Sequence, residues 1–187
     1  MTTPPPPSAV ILKLSGDLYN IATENAVLVH SCNTRGDWDV GTSRRLRELF
    51  PIAYSRYRTH CQTHPRASLL GKTLLIPPQE NEKWTTGKKQ WIACLFTSHD
   101  YGKRKGESDG IVEATKGALQ DLKAQLKELG WQEDGDEDYG GEERGGEGVP
   151  GEIWACKFNS KNFGVEWERS LAVMEEVGLK MFLVNDK

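Results

Sequence analysis

Apolar positions along this chain fall into short runs separated by polar, glycine-containing segments. Six runs have the length and composition of β-strands. They are residues 9–14, 27–30, 69–76, 90–97, 152–159 and 180–185. Apolar residues between several of these runs recur at intervals of three and four, which is typical of helices. The alternation predicts an α/β fold, with helices on both faces of a mostly parallel or mixed six-stranded sheet.

Four segments show the helical pattern. They are residues 42–50, residues 52–60 directly after Pro51, residues 108–129, and residues 167–177 before Gly178. The third is the most regular, with Ser108 or Asp109 as the predicted N-cap and Gly130 as its end. Proline suits the first turn of a helix, which supports a helix start at Pro51.

Two segments are not expected to pack into the body of the protein. Residues 1–8 include four consecutive prolines, which donate no backbone hydrogen bonds, so they are predicted to form a disordered tail. Residues 132–150 are dense in glycine and acidic residues and predict a mobile surface insertion. The remaining chain, from residue 9 to residue 187, has the size of a single domain.

The formal net charge of −3 is unevenly distributed. Residues 131–149 contain eight acidic residues and one arginine, so the rest of the chain carries a charge of +4. A mildly basic body fits an anionic small ligand, but it is far less basic than a typical nucleic-acid-binding domain. No nucleic-acid partner is therefore expected.

The chain has neither a long apolar stretch nor the pattern of a signal peptide at its start. We therefore expect no membrane association, and a location in the cytoplasm, the nucleus or both. Its four cysteines are far apart and form no C-x-x-C pair. This spacing predicts mostly buried, reduced thiols rather than a zinc cluster or a disulfide framework. No metal or cofactor is expected. The histidines His60 and His64 are predicted to be exposed to solvent.

Candidate chemistry is concentrated in loops that follow predicted strands, where α/β sheets bind their ligands. These loops are residues 15–18, 31–41, 98–104 and 159–164. The last runs through small and polar residues into a helix, so its backbone N–H groups would suit a phosphate. The alternative is that the glycine only provides a flexible helix start. The chain has neither a Walker A motif nor the G-x-G-x-x-G fingerprint.

Six segments occur in the chain in this order: Gly16-Asp17-Leu18, His30-Ser31-Cys32-Asn33, the stretch around Trp38, Leu69-Leu70-Gly71-Lys72, Cys94-Leu95-Phe96-Thr97-Ser98 and the segment from Asn159 to Glu168. In this order they resemble macro domains of the ADP-ribose phosphatase type, in particular the fungal-type ADP-ribose 1″-phosphate phosphatases. The resemblance covers residues 9–185. It implies a three-layer α/β/α macro domain that hydrolyses ADP-ribose 1″-phosphate to ADP-ribose and phosphate, or cleaves a related ADP-ribosyl bond. The alternative is an ADP-ribose-binding module without catalysis.

The resemblance also implies roles for individual residues. Asp17 would accept a hydrogen bond from the adenine amino group, Asn33 would bind the distal ribose, and Phe163 would cover a ring face. Asp17 as the cap of a turn and Phe163 as a core residue are the alternatives. The full implied ligand-binding set is Asp17, Leu18, Asn33, Trp38, Gly41, Ser160, Lys161, Asn162, Phe163 and Gly164. The expected ligand is ADP-ribose, its 1″-phosphate or an ADP-ribosylated protein, bound by a monomer.

Three residues are candidates for catalysis. His30 matches a histidine implicated in catalysis in the family, and an imidazole transfers protons readily near neutral pH. The alternative is a structural histidine. Asp39 and Val40 stand where the family has small residues, so Asp39 would either repel a terminal phosphate or orient the attacking water. Asp100 competes with Asp39 for the second of these roles.

Overall fold

The computed structural model describes residues 11–82, 86–132 and 148–185. The predicted tail at residues 1–8 lies outside these ranges, as does most of the predicted acidic insertion at residues 132–150. Among the described residues, no helix is both long enough and apolar enough to cross a membrane.

Six strands form one mixed sheet. They are β1 (Ile11–Ser15), β2 (Val27–Asn33), β3 (Thr73–Ile76), β4 (Trp91–Ser98), β5 (Ile153–Cys156) and β6 (Met181–Asn185). Their order is β1-β6-β5-β2-β4-β3. Neighbouring strands are parallel except β3, which runs antiparallel to β4 at one edge. The prediction of a mostly parallel or mixed six-stranded sheet is confirmed.

The helices lie between these strands in the chain. They are α1 (Leu18–Ile21), α2 (Thr42–Leu49), α3 (Pro51–Thr63), α4 (Arg66–Leu69), α5 (Ser108–Glu128) and α6 (Trp167–Val177). The longest, α5, packs against β3, β4 and α6. The left-handed backbone of Gly178, with φ of 71°, ends α6 before β6.

The sheet is buried on both faces, which gives the molecule three layers. Leu28 and Cys32 of β2 pack with residues of α1, α2 and α3 in one core cluster. Val27 and Val29 of the same strand pack with α5 and α6 in a second cluster. Because successive side chains of a strand point to opposite faces, β2 can be apolar on both sides and serve both clusters. The predicted α/β/α architecture is confirmed.

Several predicted boundaries were wrong. Leu69 was assigned to a strand but ends the short helix α4, and the left-handed Gly71, with φ of 76°, turns the chain before β3. The predicted strand 152–159 ends at Cys156. The helices α1 and α4 were also missed, because four residues make only about one turn and are too few to show a helical periodicity.

Three of the four cysteines are buried and Cys156 is partly buried, so the prediction of mostly buried thiols is confirmed. Of the two histidines that were predicted to be solvated, His64 is exposed, but His60 is only partly exposed. Its half-buried ring stacks between His64, with ring centroids 4.0 Å apart, and Phe96, at 5.9 Å. Burial, aided by the neighbouring His64, lowers the pKa of His60 below its ordinary value.

Candidate functional site

A cleft with a cavity of about 280 Å³ opens at the carboxyl ends of the central strands. Its walls come from β2 and the loop after it, the start of α2, and the loop between β5 and α6. Parallel strands place the loops that follow them at one edge of the sheet, so segments distant in the sequence meet there.

Most of the predicted site residues meet in this cleft. Those that line it are Leu18, His30, Asn33, Trp38, Gly41, Ser160, Lys161, Asn162 and Phe163. Four other predicted residues, Asp17, Asp39, Asp100 and Gly164, lie outside its lining. The predicted loops therefore converge, but none of the predicted carboxylates lines the cavity.

Asn159 anchors the loop that crosses the cleft between β5 and α6. It is only 3% exposed and has a left-handed backbone with φ of 64°. Its Oδ1 accepts a hydrogen bond from Thr97 Oγ1 at 2.9 Å, and its Nδ2 donates to Thr115 Oγ1 at 2.8 Å and Ser170 Oγ at 3.4 Å. These bonds join the loop to β4, α5 and α6, so residues 160–163 are held against the cavity.

The N-terminus of α2 faces this loop across the cleft. Its N-cap, Gly41, has φ of 59° and provides no side-chain cap, while Thr42 and Ser43 of the first turn line the cavity. A Cβ at Gly41 would lie 3.7 Å from Asn162 Nδ2, which shows how closely the two segments approach. The free N–H groups and the positive end of the helix dipole favour an anion here.

His30 lies in β2 with its ring on the cleft wall. The ring is half-buried and meets Trp38 edge to face, with ring centroids 6.0 Å apart. Burial lowers the pKa of His30 to about 4, because the charged imidazolium loses hydration there. The imidazole is therefore neutral near pH 7 and can accept a proton.

Asn33 and Trp38 shape the wall beside His30. Asn33 Nδ2 donates to the Asp37 carbonyl at 3.0 Å, and its Oδ1 accepts from Arg35 N at 2.8 Å and from Tyr57 Oη at 3.2 Å. One amide hydrogen of Asn33 remains for a ligand, since an NH₂ group donates twice. Trp38 is fully buried and stacks on Tyr57 with ring centroids 5.0 Å apart, so it supports the wall.

Asp17 is used as a helix cap. Its Oδ1 accepts a hydrogen bond from Tyr19 N at 3.0 Å, and its Oδ2 accepts from Asn20 Nδ2 at 3.3 Å and pairs with Arg45. The structure therefore shows Asp17 in a capping contact, as the alternative interpretation of this residue expected. A carboxylate has further acceptor positions, so the adenine role stays a prediction.

Asp39 and Asp100 both pair with arginines outside the cleft lining. Asp39 contacts Arg47 of α2, and Asp100 lies 3.2 Å from Arg35 and 3.7 Å from Arg104. Desolvation alone would raise the pKa of Asp100. The hydrogen bond from Tyr101 N–H and the two arginines outweigh it, so the pKa of Asp100 is lowered. This placement does not support either carboxylate as the base that contacts the attacking water.

Some cleft residues were missed by sequence reasoning. Tyr19, Thr42, Ser43 and Lys157 lie outside the four candidate loops, whereas Asp37 and Tyr101 lie in two of those loops but were not named as site residues. Thr42 and Ser43 had a recognisable signal, because they are small residues at a predicted helix start. Lys157 had none, since it was assigned to the interior of a predicted strand. Three basic residues of the candidate loops 31–41 and 98–104 are not part of the lining: Arg35, Lys103 and Arg104.

No protein-family model matches the sequence, but the curated proteins most similar to it in the comparison carry the same name. The chain is 36% identical over 205 aligned residues to an ADP-ribose 1″-phosphate phosphatase of Aspergillus fumigatus, covering 97% of both chains. It is 35% identical to the protein of the same name from Neosartorya fischeri, covering 94% of both.

Solved structures show the same fold at low identity. The macrodomain of Mycobacterium tuberculosis DarG superposes with a TM-score of 0.62 at 17% identity, covering 96% of this chain and 99% of that one. Thermosipho africanus DarTG, solved with ADP-ribose, gives 0.64 at 14% identity over 93% of this chain and 41% of that one. Together with the sequence identity over nearly the full length of the fungal proteins, this shows that the chain belongs to the ADP-ribose 1″-phosphate phosphatase family, built on a macrodomain fold.

Proposed function

We propose that the cleft binds ADP-ribose and that the protein hydrolyses ADP-ribose 1″-phosphate to ADP-ribose and phosphate. The observation that carries this proposal is the arrangement of three groups around one cavity. The start of α2 and the loop 160–163 both line the cavity, and His30, which is neutral near pH 7, lies on its wall. The names of the fungal relatives specify the substrate.

The order of residues along the cleft supports one orientation of the ligand. Leu18 and Tyr19 lie at the start of α1, beside the Asp17 carboxylate, and suit the adenine end. The diphosphate would lie between Gly41 and the loop 160–163, where backbone donors favour negative charge. The distal ribose and its terminal phosphate would then lie near Asn33 and His30.

His30 suits the proton transfer that this hydrolysis requires. As a water molecule attacks phosphorus, its proton passes to the neutral imidazole, and a new oxygen–phosphorus bond forms. The bond from phosphorus to the anomeric oxygen breaks, and that oxygen takes the proton from the imidazolium. Inorganic phosphate and ADP-ribose leave. Backbone N–H groups at the start of α2 would stabilise the negative charge that develops on the phosphoryl oxygens.

Phosphate release from ADP-ribose 1″-phosphate, measured beside calorimetric titration with ADP-ribose, tests this proposal. We expect the wild-type protein to do both, and His30→Gln to lower turnover about 10²- to 10⁴-fold with ADP-ribose affinity nearly preserved. Binding without phosphate release would favour the non-catalytic module. An absence of ADP-ribose binding would refute the assignment of the cleft itself.

We further propose that the protein acts as a monomer on free nucleotide or on ADP-ribosylated protein. Both faces of the sheet are covered by the chain's own helices, which supports a self-sufficient domain. Four free thiols agree with a reducing compartment, either the cytoplasm or the nucleus. Sedimentation analysis tests the oligomeric state.

A further inference from the structure

Asp39 has an unusual place in the wall of the cleft. Its chain neighbours Trp38 and Val40 both line the cavity, but Asp39 does not. Its carboxylate instead pairs with Arg47 on α2, and both side chains are about half exposed, at 49% and 48%. Asp39 therefore lies beside a cleft that suits anions, and its negative charge is paired with the Arg47 guanidinium.

Arg47 is itself held in position. Its guanidinium carbon lies 4.8 Å from the centroid of the Tyr54 ring, a distance at which a cation is attracted to an aromatic face. Tyr54 in turn packs on Trp38, with ring centroids 5.6 Å apart. A continuous set of contacts therefore runs from the cleft wall through Tyr54 to the cation that pairs with Asp39.

We propose that Arg47 is a positioning residue that keeps the Asp39 carboxylate paired and away from the terminal phosphate of the substrate. This inference rests on the proposed function. An unpaired carboxylate at this point of the loop would repel a phosphate monoester, which carries nearly two negative charges at neutral pH. ADP-ribose lacks that terminal phosphate, so its binding depends little on the Asp39–Arg47 pair. The pair therefore determines specificity for the phosphorylated ligand.

The test is the substitution Arg47→Met, which keeps an unbranched side chain over Tyr54 but removes the charge. At low ionic strength we expect the KM for ADP-ribose 1″-phosphate to rise about 3- to 10-fold, with kcat and the Kd for ADP-ribose nearly unchanged. Added salt should diminish the effect, because exposed charges are screened. The double substitution Arg47→Met with Asp39→Asn should restore the KM.

Arg44→Met is the matched control. Arg44 lies on the same helix and pairs with Glu48 at 3.4 Å, with both side chains largely exposed, at 72% and 64%. A general loss of positive charge would affect both single variants equally and would weaken ADP-ribose binding too. Equal effects in the two variants, or no rescue by Asp39→Asn, would overturn the role of Arg47.

Direct binding separates this inference from the proposed function. In a His30→Gln background, which is expected to be nearly inactive, the Kd of each ligand can be measured with and without Arg47→Met. The ratio of the Kd for ADP-ribose 1″-phosphate to that for ADP-ribose should rise several-fold, and an unchanged ratio refutes the inference. A wild-type protein that releases no phosphate refutes the phosphatase activity, whatever this ratio shows.

Discussion

His30 shows how its surroundings set the chemistry of a single residue. An exposed histidine titrates near pH 6.5, but burial against Trp38 lowers the pKa of His30 to about 4. A base must be unprotonated to act, so His30 should support turnover from neutral pH down to about pH 4. We therefore expect the acidic limb of kcat/KM that belongs to His30 to lie near pH 4.

The pH profile of His30→Gln checks this assignment. The phosphate of the substrate titrates near pH 6, so a limb at that pH should appear in both proteins. Only a limb that disappears in the variant belongs to His30. If the lost limb lies near pH 6.5, the ring is hydrated in the working enzyme. If no limb is lost, another group is the base.

Asp17 combines a structural contact with a predicted ligand contact, and two substitutions separate them. Asp17→Ala removes both, so we expect a loss of about 0.5–2 kcal/mol in stability from the lost cap and about 1–3 kcal/mol in ADP-ribose binding. Asp17→Asn keeps a good N-cap and loses the ion pair with Arg45. Thermal unfolding and calorimetry measure the two effects.

The adenine role of Asp17 requires that Asp17→Ala bind ADP-ribose clearly less tightly than wild type at a temperature where both are fully folded. Asp17→Asn should fall between them, since its amide oxygen still accepts a hydrogen bond. Equal affinity in all three proteins would leave Asp17 with the capping role alone.

At the scale of elements, the loop between β5 and α6 depends on Asn159. Asn159→Ala would leave the buried hydroxyls of Thr97, Thr115 and Ser170 without this partner and would place alanine at a left-handed φ of 64°. We expect a loss of about 2–4 kcal/mol in unfolding free energy, together with weaker ADP-ribose binding. Chemical denaturation measures the first effect and calorimetry the second.

Asn162→Ala is the control for the stability effect, because Asn162 lies in the same loop but is exposed, on the side of the loop that lines the cleft. It should change the unfolding free energy by no more than about 0.5 kcal/mol. If Asn159→Ala is as stable as this control, the buried hydrogen bonds do not hold the loop.

At the scale of the whole molecule, we expect that most of the predicted acidic insertion at residues 132–150 can be removed, because a hydrogen bond joins the residues on either side of it. Trp131 Nε1 donates a hydrogen bond to the Gly151 carbonyl at 3.1 Å. A short glycine and serine linker in place of residues 133–147 should therefore close without strain, and loop entropy varies slowly with length. We expect the melting temperature and the ADP-ribose affinity to change little. A large fall in either would show that the segment packs against the domain.

Sequence alone determined the six strands, the four longer helices, the two-sided burial of the sheet and the loops that meet at the cleft, but not the one-turn helices α1 and α4. These features follow from local hydrophobic periodicity and from the geometry of parallel strands. Only the tertiary structure decided which charged groups line the cleft. Asp39 and Asp100 follow strands as predicted, but Arg47 and Arg35 bind them outside the cleft. These ion pairs, and the burial that lowers the pKa of His30, depend on residues that only folding brings together. A local sequence pattern therefore does not predict them.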